Sequence, residues 1–145
     1  MATTKTYGSL IAKAFNKEVD WDSDTIKVAL LTSSYTPNQD THDYYDDVSA
    51  YQVSGTGYTS GGATLASKTN AYTNATNVTT FDAADVSWTT STITARYAVI
   101  YDDTPATAAT KPLIGYVDFG SDQSSSAGTF SIVWDAAGIF TTTAD

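Results

Sequence analysis

The stretch Ile93-Thr-Ala-Arg-Tyr-Ala-Val-Ile-Tyr101 decides the fold of this chain. Its side chains alternate between two sets, as they do along a β-strand, where successive residues point to opposite faces of the sheet. Branched and aromatic residues also suit a pleated surface. The set expected on one face is Ile93, Ala95, Tyr97, Val99 and Tyr101. The stretch therefore predicts a central strand.

Further strands are predicted on both sides of this stretch. Residues 113–119 carry apolar side chains for both faces, so we expect residues 93–119 to form a long hairpin, followed by a turn-rich loop at 120–128. Residues 25–32 alternate as well, with Ile26, Val28 and Leu30 on one side. Shorter strands are predicted near residues 51–54, 63–67, 77–81, 86–89 and 129–135. About seven or eight short strands of this kind predict a mainly β fold, either an antiparallel β-sandwich or a partly closed barrel.

One N-terminal helix is predicted, over residues 7–17. Its apolar residues recur at helical spacing and would share one face: Leu10, Ile11, Ala14 and Phe15. This face can plug one end of a sheet or dock against a neighbouring subunit, and the sequence leaves both open. We expect residues 1–145 to form a single β domain, with flexible arms at 1–6 and 141–145.

The composition excludes several classes of function. Sixteen acidic residues against seven basic ones give a net charge of −9, and the basic residues are scattered, so no nucleic acid partner is expected. The chain has no cysteine, which removes disulfides, thiolate metal sites and cysteine nucleophiles. No apolar run approaches the ~20 residues of a bilayer-spanning helix, so no membrane partner is expected.

The residues needed for catalysis are scarce. His42 is the single histidine and lies in a polar, Asp-rich loop without a nucleophile-elbow motif. Glu18 is the single glutamate, which leaves aspartates, mostly in predicted turns, for any pair of catalytic carboxylates. We therefore predict that the protein is not an enzyme, with no catalytic residues and no cofactor.

One motif has the opening spacing of a calcium loop, Asp20-x-Asp22-x-Asp24. The sixth position, which requires glycine, is Thr25, and the twelfth, which requires glutamate, is Leu31. No metal site is predicted, although incidental cation binding by these aspartates stays open.

Five tyrosines in the loop-rich half of the chain form the candidate interface. They are Tyr35, Tyr44, Tyr45, Tyr51 and Tyr58. Exposed tyrosines can stack on sugar rings, and they also anchor protein–protein contacts because they supply area and a hydroxyl at little entropic cost. The residues alone do not separate these two functions.

Several segments together resemble a family of small virion proteins of tailed bacteriophages. They include Asp24-Thr-Ile-Lys-Val-Ala-Leu-Leu-Thr-Ser-Ser-Tyr-Thr-Pro37, Val53-Ser-Gly-Thr-Gly-Tyr-Thr-Ser-Gly-Gly62 and Phe130-Ser-Ile-Val-Trp-Asp135, with residues 47–49, 91–96, 98–105, 112–121 and 138–140. The resemblance covers nearly the whole chain. The matching residues are fold and turn residues, so they transfer no catalytic role.

The resemblance implies a capsid decoration, or cement, protein that binds the outside of the head. Its partners would be the major capsid protein and copies of itself, with a trimer suggested by similar proteins. Its location would be the capsid surface of the virion, after synthesis in the cytoplasm of the host bacterium. The alternatives are a tail or baseplate component and a glycan- or receptor-binding module on the virion.

Overall fold

The computed structural model describes residues 2–145. A single α-helix in this part of the chain, α1 (Leu10–Phe15), follows the first strand. The strands are β1 (Lys5–Thr6), β2 (Ile26–Leu31), β3 (Ala63–Thr64), β4 (Thr69–Thr73), β5 (Val78–Asp82), β6 (Val86–Asp102), β7 (Leu113–Ile132) and β8 (Phe140–Thr143). Short 3-10 helices occupy Tyr45–Asp47, Ser49–Tyr51 and Ala108–Thr110. No helix within residues 2–145 is long and apolar enough to cross a membrane.

The eight strands form two antiparallel sheets, which confirms the predicted β-sandwich. The larger sheet has the order β1-β7-β6-β2-β3, and the smaller has the order β4-β5-β8. The larger sheet does not close on itself, so the sandwich describes the fold and the barrel does not. The helix is shorter than predicted and covers only residues 10–15.

The long hairpin extends well beyond residues 93–119. β6 and β7 pair from Tyr101 and Leu113 at one end to Val86 and Ile132 at the other, so the predicted loop at 120–128 is part of β7. Hydroxyl groups join the strands where the sequence lacks apolar alternation: Thr94 Oγ1 lies 2.8 Å from Ser124 Oγ. A Ser-rich stretch can therefore continue a strand, because cross-strand hydroxyl pairs replace apolar contacts there.

Along residues 93–101, the alternation of side chains between the two sides of the sheet is reversed at Arg96. Pairing shifts between Ala95 and Tyr97, opposite extra residues on β7. Before the shift, Ile93 and Ala95 pack in the core between the sheets, whereas afterwards Tyr97 and Val99 pack on the opposite side. A β-bulge changes which face a side chain occupies. The prediction of one continuous face is therefore wrong, although the strand itself is confirmed.

The larger sheet is buried on both faces around β2. Ile26, Val28 and Leu30 face the core between the two sheets, called here the inner core. Ala29 and Leu31, also on β2, face a second core beneath the tyrosine-rich segment 35–53, called here the outer core. Because β2 is covered on both sides, its residues are apolar almost without interruption.

Both predicted arms contain paired strands. Lys5 and Thr6 of β1 pair with Tyr116 and Gly115 of β7. β8 pairs with β5 through residues 140–143. Backbone hydrogen bonds hold these edges, and such bonds leave no hydrophobic signature in the sequence. Met1 lies outside the described residues.

Two glycines with the same backbone conformation provide a matched test of this packing. Gly62 (φ +80°) lies where a Cβ would approach Val28 O to 1.8 Å, whereas Gly120 (φ +79°) has nothing within 4 Å of that position. Gly120→Ala should cost about 1–2 kcal/mol, the strain of a left-handed conformation alone. Gly62→Ala should cost about 1–3 kcal/mol more because the β2 backbone must move. Urea unfolding of both variants measures the difference, and equal costs would contradict the close approach.

Candidate functional site

An exposed apolar surface lies on α1. Leu10 is buried, but Ile11 is 51% exposed and Phe15 is 86% exposed. The helix ends immediately afterwards, where Lys17 takes a left-handed conformation (φ 63°). The prediction that the apolar face plugs the sheet therefore holds for Leu10 alone. The alternative, docking against another subunit, remains a prediction that the exposure of Phe15 supports.

A groove of about 600 Å³ runs beside α1, called here the α1 groove. Leu10, Ile11 and Ala14 line its helix side. Its opposite side is lined by residues of the small sheet and of the segment after α1, including Asn70, Phe81, Phe140, Thr142 and Trp21. The groove thus lies between the helix and the small sheet, directly beside the exposed residues of α1.

Three aromatic rings give the α1 groove a rigid wall. Phe81 and Phe140 stack with their ring centroids 4.5 Å apart. Trp21 packs edge-on against both, at 5.9 and 5.5 Å, and its Nε1–H donates to Thr69 O at 3.0 Å. Edge-to-face geometry is favourable for aromatic pairs. The wall is therefore preformed.

The same face of the small sheet continues beyond the groove. Asn70 pairs with Phe81, and Phe81 pairs with Phe140, so these three residues share one face. Tyr72 lies two residues from Asn70 and so is on that face too. It is 56% exposed. The largely buried aromatic wall thus leads to an exposed aromatic residue, Tyr72.

The rim of the α1 groove carries both signs of charge, from Lys17, Asp20 and Asp24. Asp20 Oδ1 accepts hydrogen bonds from the N–H groups of Asp22 and Ser23, and the bonds from Ser23 lower the pKa of Asp20. The calcium-like motif therefore uses its carboxylates to hold its own turn. Residues 2–145 contain no group of three or more His, Asp or Glu side chains placed to bind a metal ion.

Two of the five candidate interface tyrosines are buried. Tyr35 accepts or donates a hydrogen bond with Tyr7 Oη at 2.7 Å and lies 3.0 Å from His42 Nδ1, and burial raises its pKa to about 12. Tyr45 stacks on Tyr101 with centroids 4.0 Å apart. Their expected exposure is wrong, because both are needed to cover the outer face of the large sheet.

The other three tyrosines differ in exposure. Tyr44 is half-buried and donates to Glu18 Oε2 at 2.8 Å. Tyr58 is also half-buried, and its hydroxyl accepts from Leu30 N–H and donates to Gln52 Oε1, both at 3.1 Å. Tyr51 alone of the five is exposed, at 37%. An interface role for these three stays a prediction, and the five do not form one exposed surface.

The α1 groove was missed in the sequence because its parts are far apart along the chain. Helical spacing identified Ile11 and Phe15, but the opposite wall comes from residues 70, 81 and 140. Only the pairing of β4, β5 and β8 brings these together. The aromatic pair Phe81 and Phe140, each in a Thr-rich segment, was the available signal.

A second hollow, of about 440 Å³, contains a buried carboxyl group. Asp102 lines it together with Glu18 and Asp24 and is fully buried. Asp102 Oδ1 accepts from Thr104 N–H at 2.8 Å, whereas Oδ2 has no partner among the described residues. Burial, followed by the neighbouring carboxyl of Asp24, raises the pKa of Asp102 to about 6.

Comparison of the chain with protein-family models, curated proteins and solved structures finds no match. The geometry of the α1 groove and the resemblance of the sequence segments are therefore the grounds for a functional proposal.

The raised pKa of the buried Asp102 predicts a pH dependence of stability. The folded-state pKa of Asp102 lies above its ordinary value of 3.8, so the folded protein binds more protons than the unfolded chain between these values. The stabilisation is fully present below about pH 4 and is lost as the pH rises through about 6. Asp102→Asn removes this dependence, so its stability relative to the wild type should rise by up to about 3 kcal/mol between pH 4 and pH 8.

Urea unfolding across this pH range measures the effect. Asp40→Asn, at an exposed position, is the matched control and should differ from the wild type by a constant amount. A constant difference for Asp102→Asn as well would contradict the raised pKa of Asp102.

Proposed function

We propose that this protein is a structural protein of a tailed-bacteriophage virion, and specifically a capsid decoration protein that binds the outer surface of the head and stabilises it. The observation that carries the proposal is the exposed apolar end of α1, where Phe15 and Ile11 lie beside a preformed aromatic groove. Exposed apolar surface of this kind is typical of protein–protein contacts.

The energetics of the α1 surface suit a repeated assembly. Burying a side chain such as Phe15 contributes about 1.5–3 kcal/mol, which is a modest gain for one contact. Many copies on a regular shell add such contacts through avidity, so a weak individual contact still reinforces the whole particle. The role needs binding surface and a rigid scaffold, and the doubly covered large sheet supplies the scaffold.

The two residues weighed for catalysis have structural partners. His42 Nδ1 lies 3.0 Å from the hydroxyl of the buried Tyr35, and Glu18 accepts a hydrogen bond from Tyr44. Among the described residues, neither side chain forms a hydrogen bond with a serine or threonine hydroxyl. These contacts favour a binding role over an enzymatic one.

A tail or baseplate component is the second candidate, because the same apolar surface would serve any repeated protein contact. The glycan-binding alternative has less support, since Tyr35 and Tyr45 are buried and cannot stack on a sugar. The number of copies in a particle separates the first two.

Quantitative mass spectrometry of purified particles of the phage that encodes this chain tests its position. A decoration protein should be present at an abundance comparable to that of the major capsid protein, because it occupies repeated lattice positions. A copy number that corresponds to a single ring of subunits would instead indicate the tail or baseplate, and it would contradict the proposal of a capsid decoration protein.

Reconstitution tests the stabilising role. Undecorated shells mixed with the purified chain should bind it to saturation and rupture at a higher temperature, since a ligand that binds only the intact shell stabilises it. Shells mixed with the heat-denatured chain are the control. Absence of binding, or binding without a change in rupture temperature, would count against a cement protein.

A further inference from the structure

We propose that the α1 groove of one copy receives Phe15 of a second copy, so that the chain associates with itself through this surface. The self-contact deepens the proposed function, and its place in a particle rests on that function. The chemistry of the contact, however, rests only on the residues around α1.

Phe15 has the geometry of a protruding anchor. It is the last residue of α1 and the most exposed large apolar residue of the described chain. It does not line its own groove, although Ile11, Ala14 and Lys17 do. Its ring therefore has no apolar partner within its own chain at this groove and is free to enter another.

The α1 groove has the size and lining to accept an aromatic side chain. Its volume of about 600 Å³ lies within the range of about 300–1,000 Å³ found for ligand sites. Trp21, Phe81 and Phe140 already form edge-to-face and stacked pairs. Trp21 and Phe140 are 5% and 8% exposed, so an entering phenylalanine ring meets the exposed edges of this wall, and an edge-to-face pair contributes about 0.5–1.5 kcal/mol beyond the buried area.

The charges on the rim favour a second copy over another type of partner. With a net charge of −9, two copies repel each other unless the contact itself is complementary. The rim supplies this complementarity, because it carries Lys17 as well as Asp20 and Asp24. A second copy brings a lysine to these aspartates and an aspartate to this lysine. A uniformly basic or acidic partner would match only part of the rim.

The anchor and the groove belong to the same chain, so the contact can close. Reciprocal insertion of two Phe15 side chains gives a two-fold dimer, and one-way insertion around a ring gives a higher cyclic oligomer such as a trimer. In a closed dimer or ring every Phe15 is buried between copies, so the contact that this residue makes on the shell is the one between neighbouring copies.

Sedimentation equilibrium across micromolar concentrations tests the self-contact. The wild-type chain should form a discrete dimer or ring, and Phe15→Ser should weaken association by at least about tenfold. Val133→Ser is the matched control, because Val133 is 50% exposed and lies on neither wall of the groove. Urea unfolding confirms that both variants fold. A wild-type chain that stays monomeric, or an oligomer unaffected by Phe15→Ser, overturns the proposal.

Two charge-reversal variants test whether the charges on the rim of the α1 groove contribute to association. Lys17→Glu and Lys5→Glu change the net charge equally, but only Lys17 lines the groove. Lys17→Glu should weaken association more than Lys5→Glu does. Equal effects would overturn the rim complementarity that identifies the partner as a second copy.

The absence of native cysteine allows the contact to be located directly. A nitroxide attached to the thiol of Asn70→Cys on one copy should broaden the amide NMR signal of Phe15 on an isotopically labelled wild-type copy. No broadening in an associated sample overturns the proposal. If the chain is monomeric yet still decorates shells, only the self-contact fails, whereas association without any place on the particle removes the proposed function instead.

Discussion

The pairing of β2, β6 and β7 is the constraint on which the rest of the structure depends. These strands form the middle of the large sheet, which is buried on both faces at β2, at residues 98–102 of β6 and at residues 113–117 of β7. A sheet of this kind must be covered twice, since apolar area left in water on either face would be destabilising. The small sheet and Leu10 of α1 cover one face, and the tyrosine-rich segment covers the other.

The layers that cover the two faces of the large sheet differ in their amino-acid composition. Aliphatic residues and three tryptophans dominate the inner core. The outer core is built largely from tyrosines, whose hydroxyls require partners when buried. The Tyr7 and Tyr35 hydroxyls bond to each other, and Tyr35 also reaches His42. Tyr45, by contrast, stacks on Tyr101, and its hydroxyl has no hydrogen-bond partner among the described residues, so this cover combines hydrogen-bonded and stacked tyrosines.

The sequence predicted the strands better than their faces. Alternation identified β2 and the core of the β6–β7 hairpin, since residues buried on a strand repeat with its period. It could not show the exchange of faces at Arg96, because a bulge is set by the pairing of two strands and not by either one alone. It also could not extend the hairpin through residues 120–128, where serine hydroxyls support the pairing.

For the candidate site as well, the sequence predicted the secondary-structure elements better than the exposure of their side chains. Helical spacing marked Leu10, Ile11 and Phe15 as one apolar face, but it could not show that only Leu10 is buried, because burial depends on how the sheets pack against the helix. The tyrosines were predicted at a surface since their segment reads as polar loops, yet Tyr35 and Tyr45 complete the outer core. Burial here follows from the second face of the large sheet, which becomes apparent only once both covers are known.

The short length of α1 has a consequence for how such a protein can diversify. Leu10 alone among its large apolar residues is buried, so the exposed positions of the helix contribute little to the stability of the sandwich. Substitutions at these positions can alter partner choice without lowering the population of folded molecules. The scaffold and its recognition surface are thus separable under selection, and related chains can acquire new partners by changing a single turn of helix.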